Sequence, residues 1–283
     1  MAARKSPATL PKSTMVAPGS ASGSGFTGAT RRNQGYGWTP DLPDQRDLTY
    51  AVPAAVMASI PSNVDLRASC PPIYDQGQLG SCTGNAIAAA LAFDQMKQGQ
   101  TNVPTPSRLF IYYNERVMEG TVASDAGAQI RDGIKSVAQQ GDCPETLWPY
   151  VIKKFAVKPS KASYANAANH KAINYQSVSQ NIADMKGCLA SGYPIVVGFT
   201  VYESFETTQT ATTGVIPLPN PSSEKVLGGH CVLVVGYNDS SHVFICRNSW
   251  GTGWGQAGYF TMPFSYLIDN NLASDFWTIR VVQ

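Results

Sequence analysis

Residues 76–82 read Gln-Gly-Gln-Leu-Gly-Ser-Cys, and an alanine-rich run follows them as far as Lys97. Alanine has the highest helix propensity, and the apolar residues of the run recur near helical spacing, so a helix is predicted over about 82–98. A thiol at its first residue, Cys82, faces the positive end of the helix dipole and unpaired backbone amides, which favour the nucleophilic thiolate. Position alone still favours a small buried cysteine at a glycine-rich turn, so a nucleophile requires a base elsewhere in the sequence.

Helices and strands are segregated along the chain. Two further helices are predicted at about 106–118 and 128–140, and the second ends at Gly141. After Pro159, one helical stretch precedes several runs of β-branched and aromatic residues. These regions predict a helix near 182–190 and strands at about 194–201, 231–237, 242–248, 257–262 and 276–282. A helical first half and a β-rich second half predict an α+β protein of two lobes, with a cleft between them where sites preferentially form.

A base for Cys82 is found in the second half of the sequence. His230 follows two glycines, and Asn248 begins the block Asn-Ser-Trp-Gly on the next predicted strand. If the two strands form an uninterrupted hairpin around a turn at 239–240, Asn248 lies opposite His230, and its amide can orient the imidazole as an aspartate does in a serine triad. A lone histidine is more often a core residue, but the pairing argument favours a catalytic one.

Composition argues against several classes of protein. The 283-residue chain is 43% hydrophobic and 14% charged with a formal net charge of +2, and no stretch approaches the roughly 18 apolar residues of a membrane-spanning helix. Six sparse cysteines without zinc-site spacing and three scattered histidines predict neither a disulfide scaffold nor a metal site, and no cofactor is expected. The N-terminus lacks an apolar signal region, which leaves a cytoplasmic location or export by a non-classical route.

The N-terminal segment, residues 1–60, differs from the rest. Residues 1–35 are low in complexity and basic, which is typical of a flexible tail, and nucleic-acid binding is not expected because the charge lies on no folded face. Residues 36–60, called the arm below, are rich in proline and turn-forming residues, and they predict an extended path ending in a linker from Pro53 to Pro61. The predicted body is residues 61–283. Its helical lobe is predicted over about 61–160 and its β-rich lobe over about 161–283.

These residues resemble the papain-like cysteine peptidases. Gln76 stands six positions before Cys82, and His230 and the block Asn-Ser-Trp-Gly-Thr-Gly-Trp-Gly that begins at Asn248 follow in the order and spacing typical of the family. Further matches cover about residues 64–277, and the arm is similar to that of bacterial members. The resemblance implies a two-lobed papain-like fold and hydrolysis of peptide bonds through an acyl-thioester.

The resemblance also implies a role for each matched residue. Cys82 is the expected nucleophile, His230 its ion-pair partner and later general acid, and Asn248 the residue that orients the imidazole. Gln76 and the backbone amide of Cys82 are expected to form the oxyanion hole. Trp250, counted also among the substrate-binding residues, is expected to shield the asparagine bond from water.

Substrate-binding residues follow from the same resemblance. Gly127, with Ala128 beside it, is the expected contact for an extended peptide backbone. A roomy pocket for the second substrate residue is expected to be lined by Gly198, Gly228 and Cys231. Its base is not aligned, and either Asp269 or Asp275 would favour basic side chains there.

The sequence departs from the family pattern at several positions. Leu79 and, approximately, Asp125 stand where the family has a disulfide, so that bond is expected to be missing as a unit. Thr83 replaces a usual tryptophan, and Gly229 replaces a frequent aspartate before the catalytic histidine, which leaves the pH profile of the ion pair open. The family's long helical prosegment is expected to be absent, since about 60 residues precede the body in this sequence.

Two alternatives remain beside a peptidase. Another Cys-His acyl-transfer enzyme, such as an amidase or a transglutaminase-like protein, shares the residue order but not the Asn-Ser-Trp-Gly block. A non-enzymatic peptide-binding module is expected to have lost Cys82, His230 or Gln76.

The expected protein is a monomer that acts on peptides or proteins, with endo- or exopeptidase action left open. Residues near 30–60 are expected to cover the cleft beside Cys82 as an inhibitor.

Overall fold

Helices predominate in the first half of the chain and strands in the second. The computed structural model describes residues 35–282, so residues 1–34 of the predicted tail lie outside the described part. No helix within this range is long and apolar enough to cross a bilayer. The α-helices are α1 (Ala54–Met57), α2 (Cys82–Lys97), α3 (Arg108–Glu119), α4 (Ile130–Gln139), α5 (Lys161–Ala167), α6 (Ile182–Ala190), α7 (Thr208–Thr213) and α8 (Phe264–Ile268).

The strands form one antiparallel sheet. They are β1 (Asn63–Asp65), β2 (Ala172–Ser177), β3 (Ile195–Tyr202), β4 (Val226–Asn238), β5 (Val243–Arg247), β6 (Tyr259–Pro263) and β7 (Ala273–Val282). Their order in the sheet is β2-β7-β3-β4-β5-β6, and β1 pairs with the end of β4. This segregation of α2, α3 and α4 from the sheet confirms the predicted α+β class.

Helix α2 lies between the sheet and the other helices of the first half. It packs against β4 and β7 on one side and against α3 and α4 on the other. Every residue from Cys82 to Gln95 is therefore buried, as expected for a helix that lacks a polar face. Small residues permit this close packing: a Cβ at Gly84 would stand only 2.8 Å from the carbonyl oxygen of Arg108.

The hairpin of β4 and β5 carries His230 and leads to Asn248, but its register differs from the predicted one. The ladder pairs Arg247 with Leu233, and a bulge lies between this part of the hairpin and the turn. The uninterrupted hairpin expected from the sequence is therefore wrong. Extending the observed register places Asn248 diagonally from His230 rather than opposite it, a separation that longer side chains can span.

An aromatic cluster lies behind His230. Trp250 stacks on the imidazole, with ring centroids 4.9 Å apart and 29° between the planes. Trp254 meets Trp250 edge-on at 5.2 Å, and Phe205 and Phe260 pack against Trp254 at 5.8 and 5.6 Å. All four of these rings are buried, so the cluster restricts the orientation of the histidine ring.

The arm packs along the body and is not extended throughout. Tyr50 is buried, and its N–H donates to the carbonyl oxygen of Ser177 at 2.7 Å. Val52 contacts Gly187 of α6. The linker predicted from Pro53 to Pro61 is partly wrong, because it contains helix α1; proline at a helix start fits there, since the first N–H groups of a helix need no intrahelical partner.

The aromatic cluster predicts a large stability effect. Trp254→Ala should lower the free energy of unfolding by about 3–5 kcal/mol, because a buried tryptophan leaves a cavity that the neighbouring rings fill only in part. The measurement is urea unfolding followed by circular dichroism. Val215→Ala, at a side chain 56% exposed beside the same sheet, is the matched control and should change the stability by about 0.5 kcal/mol or less. Equal effects of the two substitutions would contradict the prediction.

Candidate active site

Cys82 is the first residue of α2, and its side chain is completely buried. No side chain caps this end of the helix. Burial raises the pKa of the Cys82 thiol to about 12, against the opposing effect of the main-chain N–H groups of Cys231 and Gly37. Cys231 directly follows His230, so this contact brings the thiol to the strand that carries the histidine.

His230 lies on β4 with its ring buried. Its Nε2 is 2.9 Å from Oδ1 of Asn248. Because an amide oxygen only accepts, Nε2 carries the proton and the neutral ring presents Nδ1 as an acceptor. Nδ1 has no hydrogen-bond partner among the described residues. Burial lowers the pKa of His230 to about 4, although the bond to Asn248 acts in the opposite direction.

The side-chain amide of Gln76 is oriented from both of its ends. Its Oε1 accepts a hydrogen bond from Ser249 Oγ at 2.6 Å, and its Nε2 donates to the carbonyl oxygen of Leu79 at 2.9 Å. Nε2 also donates to the carbonyl oxygen of Gly35 at 3.1 Å. A main-chain carbonyl just ahead of the arm therefore lies on the donor that the family resemblance assigns to the oxyanion.

The arm crosses the cleft between the two halves of the site. The N–H of Trp38 donates to Gly229 on β4 at 2.9 Å, and the N–H of Ala128 donates to Gly37 at 2.7 Å. Trp38 and Ala128 form a parallel bridge. Gly127 touches the arm by close approach rather than by a hydrogen bond, since a Cβ there would stand 2.2 Å from the carbonyl oxygen of Gly37.

The indole of Trp38 occupies a pocket of the β-rich half. A Cβ at Gly198 would stand 1.9 Å from the indole, so only glycine leaves room for it. Cys231 belongs to the same buried cluster as Trp38, whereas Gly228 contacts the ring of Tyr36. The indole Nε1 donates to Asp275 at 3.0 Å.

The two acids considered for the base of this pocket differ in position. Asp275 lies against the indole, whereas Asp269 accepts hydrogen bonds from the main chain of its own turn, at Asn271 and Leu272. Asp275 is therefore the acid that the fold places at the pocket.

Asp275 and Asp41 form a partly buried acid pair where the arm leaves the pocket. The N–H of Asp41 donates to Asp275 at 2.8 Å, and the Asp41 carboxylate accepts from Trp277 Nε1 at 3.0 Å and from the N–H of Arg131 at 3.1 Å. The guanidinium of Arg131 lies 2.6 Å from Asp47 and 3.9 Å from Asp41. Burial, and then the charge of Asp275, raise the pKa of Asp41 to about 7; burial also raises the pKa of Asp275.

At the positions of the family's disulfide, a hydrogen bond rather than a disulfide joins the two segments. All six cysteines are free thiols. Leu79 is buried, and the carboxylate of Asp125 accepts from the N–H of Gly80, with 3.1 Å to Oδ1 and 3.0 Å to Oδ2. Within residues 35–282, no cluster of three His, Cys, Asp or Glu side chains could hold a metal ion.

Three further side chains at the site received no role from the sequence. Ser249 orients Gln76, and its place inside the Asn-Ser-Trp-Gly block is the signal that could have drawn attention to it. Tyr150 donates to the carbonyl oxygen of Gln76 at 2.9 Å and lies 2.5 Å from Ser81 Oγ. Tyr36 donates to Glu206 and stands edge-on to His230 at 6.0 Å. Nothing in the sequence points to Tyr36.

Comparison with known proteins finds relatives that are described as peptidases or cysteine proteases. The chain is 42% identical over 274 residues to an uncharacterized peptidase C1-like protein of Acanthamoeba polyphaga mimivirus, which covers 88% of each protein. It is 27% identical over 236 residues to cysteine proteinase 3 of Entamoeba histolytica, which covers 80% of this chain and 69% of that protein. Among solved structures, it is similar to xylellain, a cysteine protease from Xylella fastidiosa, at 44% identity and a TM-score of 0.84, over 89% of this chain and 98% of that one.

The match to a family model covers both halves of the site. Residues 60–272 match the model of the papain family of cysteine proteases. That range runs from just before β1 almost to β7, and it contains Cys82, His230, Asn248 and Gln76. The chain therefore belongs to the papain family of cysteine proteases and is a peptidase.

Proposed function

We propose that the chain hydrolyses peptide bonds through an acyl-thioester on Cys82, with His230 as base and acid, Asn248 orienting His230, and Gln76 in the oxyanion hole. The observation that carries this proposal is the hydrogen bond between His230 Nε2 and Asn248 Oδ1. It holds one proton on Nε2 and leaves Nδ1 as the basic atom of the ring. The contact of Cys82 with the peptide group that follows His230 supports the pairing of thiol and imidazole.

The reaction follows from these positions. The thiolate of Cys82 attacks the carbonyl carbon of the substrate, and Gln76 Nε2 with the main-chain N–H of Cys82 stabilises the oxyanion. The protonated His230 gives its proton to the leaving amine as the C–N bond breaks, which leaves a thioester. A water molecule that loses a proton to His230 then attacks the thioester, releases the acid product and restores the thiol.

The arm restrains this chemistry in the intact chain. Three contacts of the arm and of the residue just before it support the restraint: the carbonyl of Gly35 on Gln76, the main chain of Gly37 at Cys82 and Ala128, and the indole of Trp38 in its pocket. Only glycine fits at position 37, because a Cβ there would stand 1.7 Å from the carbonyl oxygen of Gly80. A substrate backbone would have to displace all three contacts.

The covered site also disfavours the charged form of the catalytic pair. A thiolate–imidazolium pair requires the thiol to be the stronger acid, but burial places the pKa of Cys82 at about 12 and that of His230 at about 4. Both groups are consequently neutral beneath the arm. Departure of the arm admits water, removes the main cause of both shifts and allows the ion pair to form.

The contacts of the arm support a mode of substrate binding. An extended peptide would use the main-chain groups of Ala128, with Gly127 permitting close approach, and would place one large side chain in the pocket lined by Gly198 and Cys231. Asp275 at that pocket favours a basic side chain or one with a hydrogen-bond donor at its end, because its carboxylate loses the indole N–H when the arm leaves.

The nucleophile is tested by removing its sulfur. Cys82→Ala should abolish turnover of peptide-fluorophore substrates while the circular dichroism spectrum and the melting temperature remain close to those of the parent. Cys70→Ala, which removes a cysteine outside the site, is the matched control and should retain turnover. Full activity in purified Cys82→Ala would refute the proposed mechanism.

Restraint by the arm is tested in the full-length chain. Trp38→Ala should raise kcat/KM on small peptides by about tenfold or more, since a fully buried aromatic contributes roughly 1.5–3 kcal/mol and 1.4 kcal/mol corresponds to a factor of ten. Deleting residues 1–40 should act in the same direction. Leu42→Ala, at an arm side chain 71% exposed, is the matched control and should leave activity unchanged. Unchanged activity after the deletion, with an intact fold, would show that the arm does not restrain the site.

The acid pair predicts how pH changes the restraint. The pKa of Asp41 is about 7 in the closed chain and returns toward its ordinary value near 4 when the arm leaves. The closed form therefore binds the proton more tightly; its extra stability is complete below about pH 4 and is lost as the pH rises through about 7. The activity of the full-length chain, divided by that of the chain lacking residues 1–40, should rise from pH 5 to 8. Asp41→Asn should flatten this ratio, and a flat ratio in the unsubstituted chain would contradict the prediction.

A further inference from the structure

The peptide group between Leu79 and Gly80 is held on both sides. Its carbonyl oxygen accepts from Gln76 Nε2 at 2.9 Å, and its N–H donates to both carboxylate oxygens of Asp125 at 3.0 and 3.1 Å. A peptide group is planar and rigid, so its two ends move together. A carboxylate acceptor makes the N–H bond charge-assisted, and successive hydrogen bonds polarise one another. Asp125 is thereby coupled to the side-chain amide of Gln76.

The same carboxylate reaches a second part of the site. The hydroxyl of Tyr112, on α3, donates to Asp125 and accepts from the N–H of Gly127 at 3.2 Å. Tyr112 is buried, and burial together with the bond to Asp125 raises its pKa above the ordinary value, so the hydroxyl keeps its proton. Asp125 therefore connects two parts of the site: the loop that carries Gln76, and the segment of Gly127 and Ala128, which pairs with the arm.

Arg116 fixes the loop that presents Asp125. Its buried guanidinium donates to the carbonyl oxygens of Val122 at 3.0 Å and Ser124 at 2.9 Å, and it lies 3.9 Å from the centre of the Tyr112 ring. These bonds hold the main chain just before Asp125, so the carboxylate is directed at Gly80 by a preformed loop.

We propose that Asp125 is a positioning residue for the oxyanion hole, acting on Gln76 through the Leu79–Gly80 peptide group, and for the substrate-binding segment, acting on Gly127 through Tyr112. The inference rests on the role proposed above for Gln76. An oxyanion donor stabilises the transition state only when it is held in place beforehand. Without Asp125, the peptide group loses its support on one side, and the carbonyl oxygen that accepts from Gln76 Nε2 is held less firmly.

The two branches of the network predict two different kinetic effects. The measurements are kcat and KM in the full-length chain carrying Trp38→Ala, with active sites counted by a thiol-directed epoxide. Asp125→Ala should lower kcat by about tenfold, a fraction of the loss known for deleting an oxyanion donor outright. Asp125→Asn keeps an acceptor for Gly80 and should recover most of that loss. Tyr112→Phe leaves the bond to Gly80 intact, so it should raise KM with little change in kcat.

Ser124→Ala is the matched control, because its hydroxyl donates only weakly, at 3.3 Å, to Thr121 of the same loop. Both kinetic constants should be unchanged in this variant. Melting temperatures are measured for every variant. If Asp125→Ala does not fold, the residual loss of kcat in Asp125→Asn tests the branch to Gln76, and the rise of KM in Tyr112→Phe tests the branch to Gly127. Parallel losses of kcat and stability in all variants, without separate effects on kcat and KM, would overturn the proposal.

A double-mutant cycle with Gln76→Ala tests the route of the effect. If Asp125 acts through Gln76, adding Asp125→Ala to Gln76→Ala should change kcat by less than about twofold; a full, additive loss would overturn the inference. The single variants distinguish the two proposals. Unchanged kcat in Gln76→Ala would refute the role of Gln76, and this inference with it. Lowered kcat in Gln76→Ala with unchanged kcat in Asp125→Ala would refute this inference alone.

Discussion

The burial of helix α2 on all its faces is the constraint on which the rest of the molecule depends. Because the helix packs on β4 and on α3 and α4, its first residue has little freedom to move relative to either half of the protein. Cys82 is that residue, and β4 carries His230. The packing that forms the core therefore also brings together the helix that carries the thiol and the strand that carries the imidazole, so the proposed nucleophile is placed by packing rather than by a loop.

Burial beneath the arm also disfavours a charge pair of Cys82 and His230. The arm replaces water above Cys82 and His230 with apolar and main-chain groups, and each charged form loses solvation that the nearby hydrogen bonds restore only in part. The polar groups that remain buried, such as Gln76 and Asn248, are neutral amides held by hydrogen bonds. Neutral amides do not titrate, which suits the proposed assembly of the site before it becomes active.

The sequence predicts those parts of the protein that depend on local pattern. The helices α2, α3 and α4 are predicted within two residues of their observed ends, because long periodic segments carry a strong signal. Strand β4 begins five residues earlier than predicted, since its glycine-rich start is extended only by pairing with β3. Helices α1, α5, α7 and α8 and the short strands β1 and β2 are not predicted, because tertiary contacts rather than propensity hold them.

In the candidate site, too, local motifs are predicted from the sequence and long-range contacts are not. Cys82, His230, Asn248 and Gln76 follow from motifs, whereas the contacts of Asp125 do not, because they join segments 45 residues apart through one carboxylate. The bulge in the β4–β5 hairpin is likewise invisible in the sequence. The close approach of Gly198 to the indole of Trp38 depends on the path of the arm, which no local pattern specifies.

The arm and the cleft belong to one chain, joined through α1 to strand β1, and this connection sets an effective concentration. If the arm restrains the site as proposed above, it competes with substrate as though it were present at a level on the order of millimolar, and dilution of the protein does not lower that level. A cut between the cleft contacts and β1 would change this while leaving the groups of residues 35–38 that contact the cleft chemically intact. The same segment would then be an ordinary dissociable ligand, lost on dilution, so one broken bond would convert a reversible block into lasting exposure of the site.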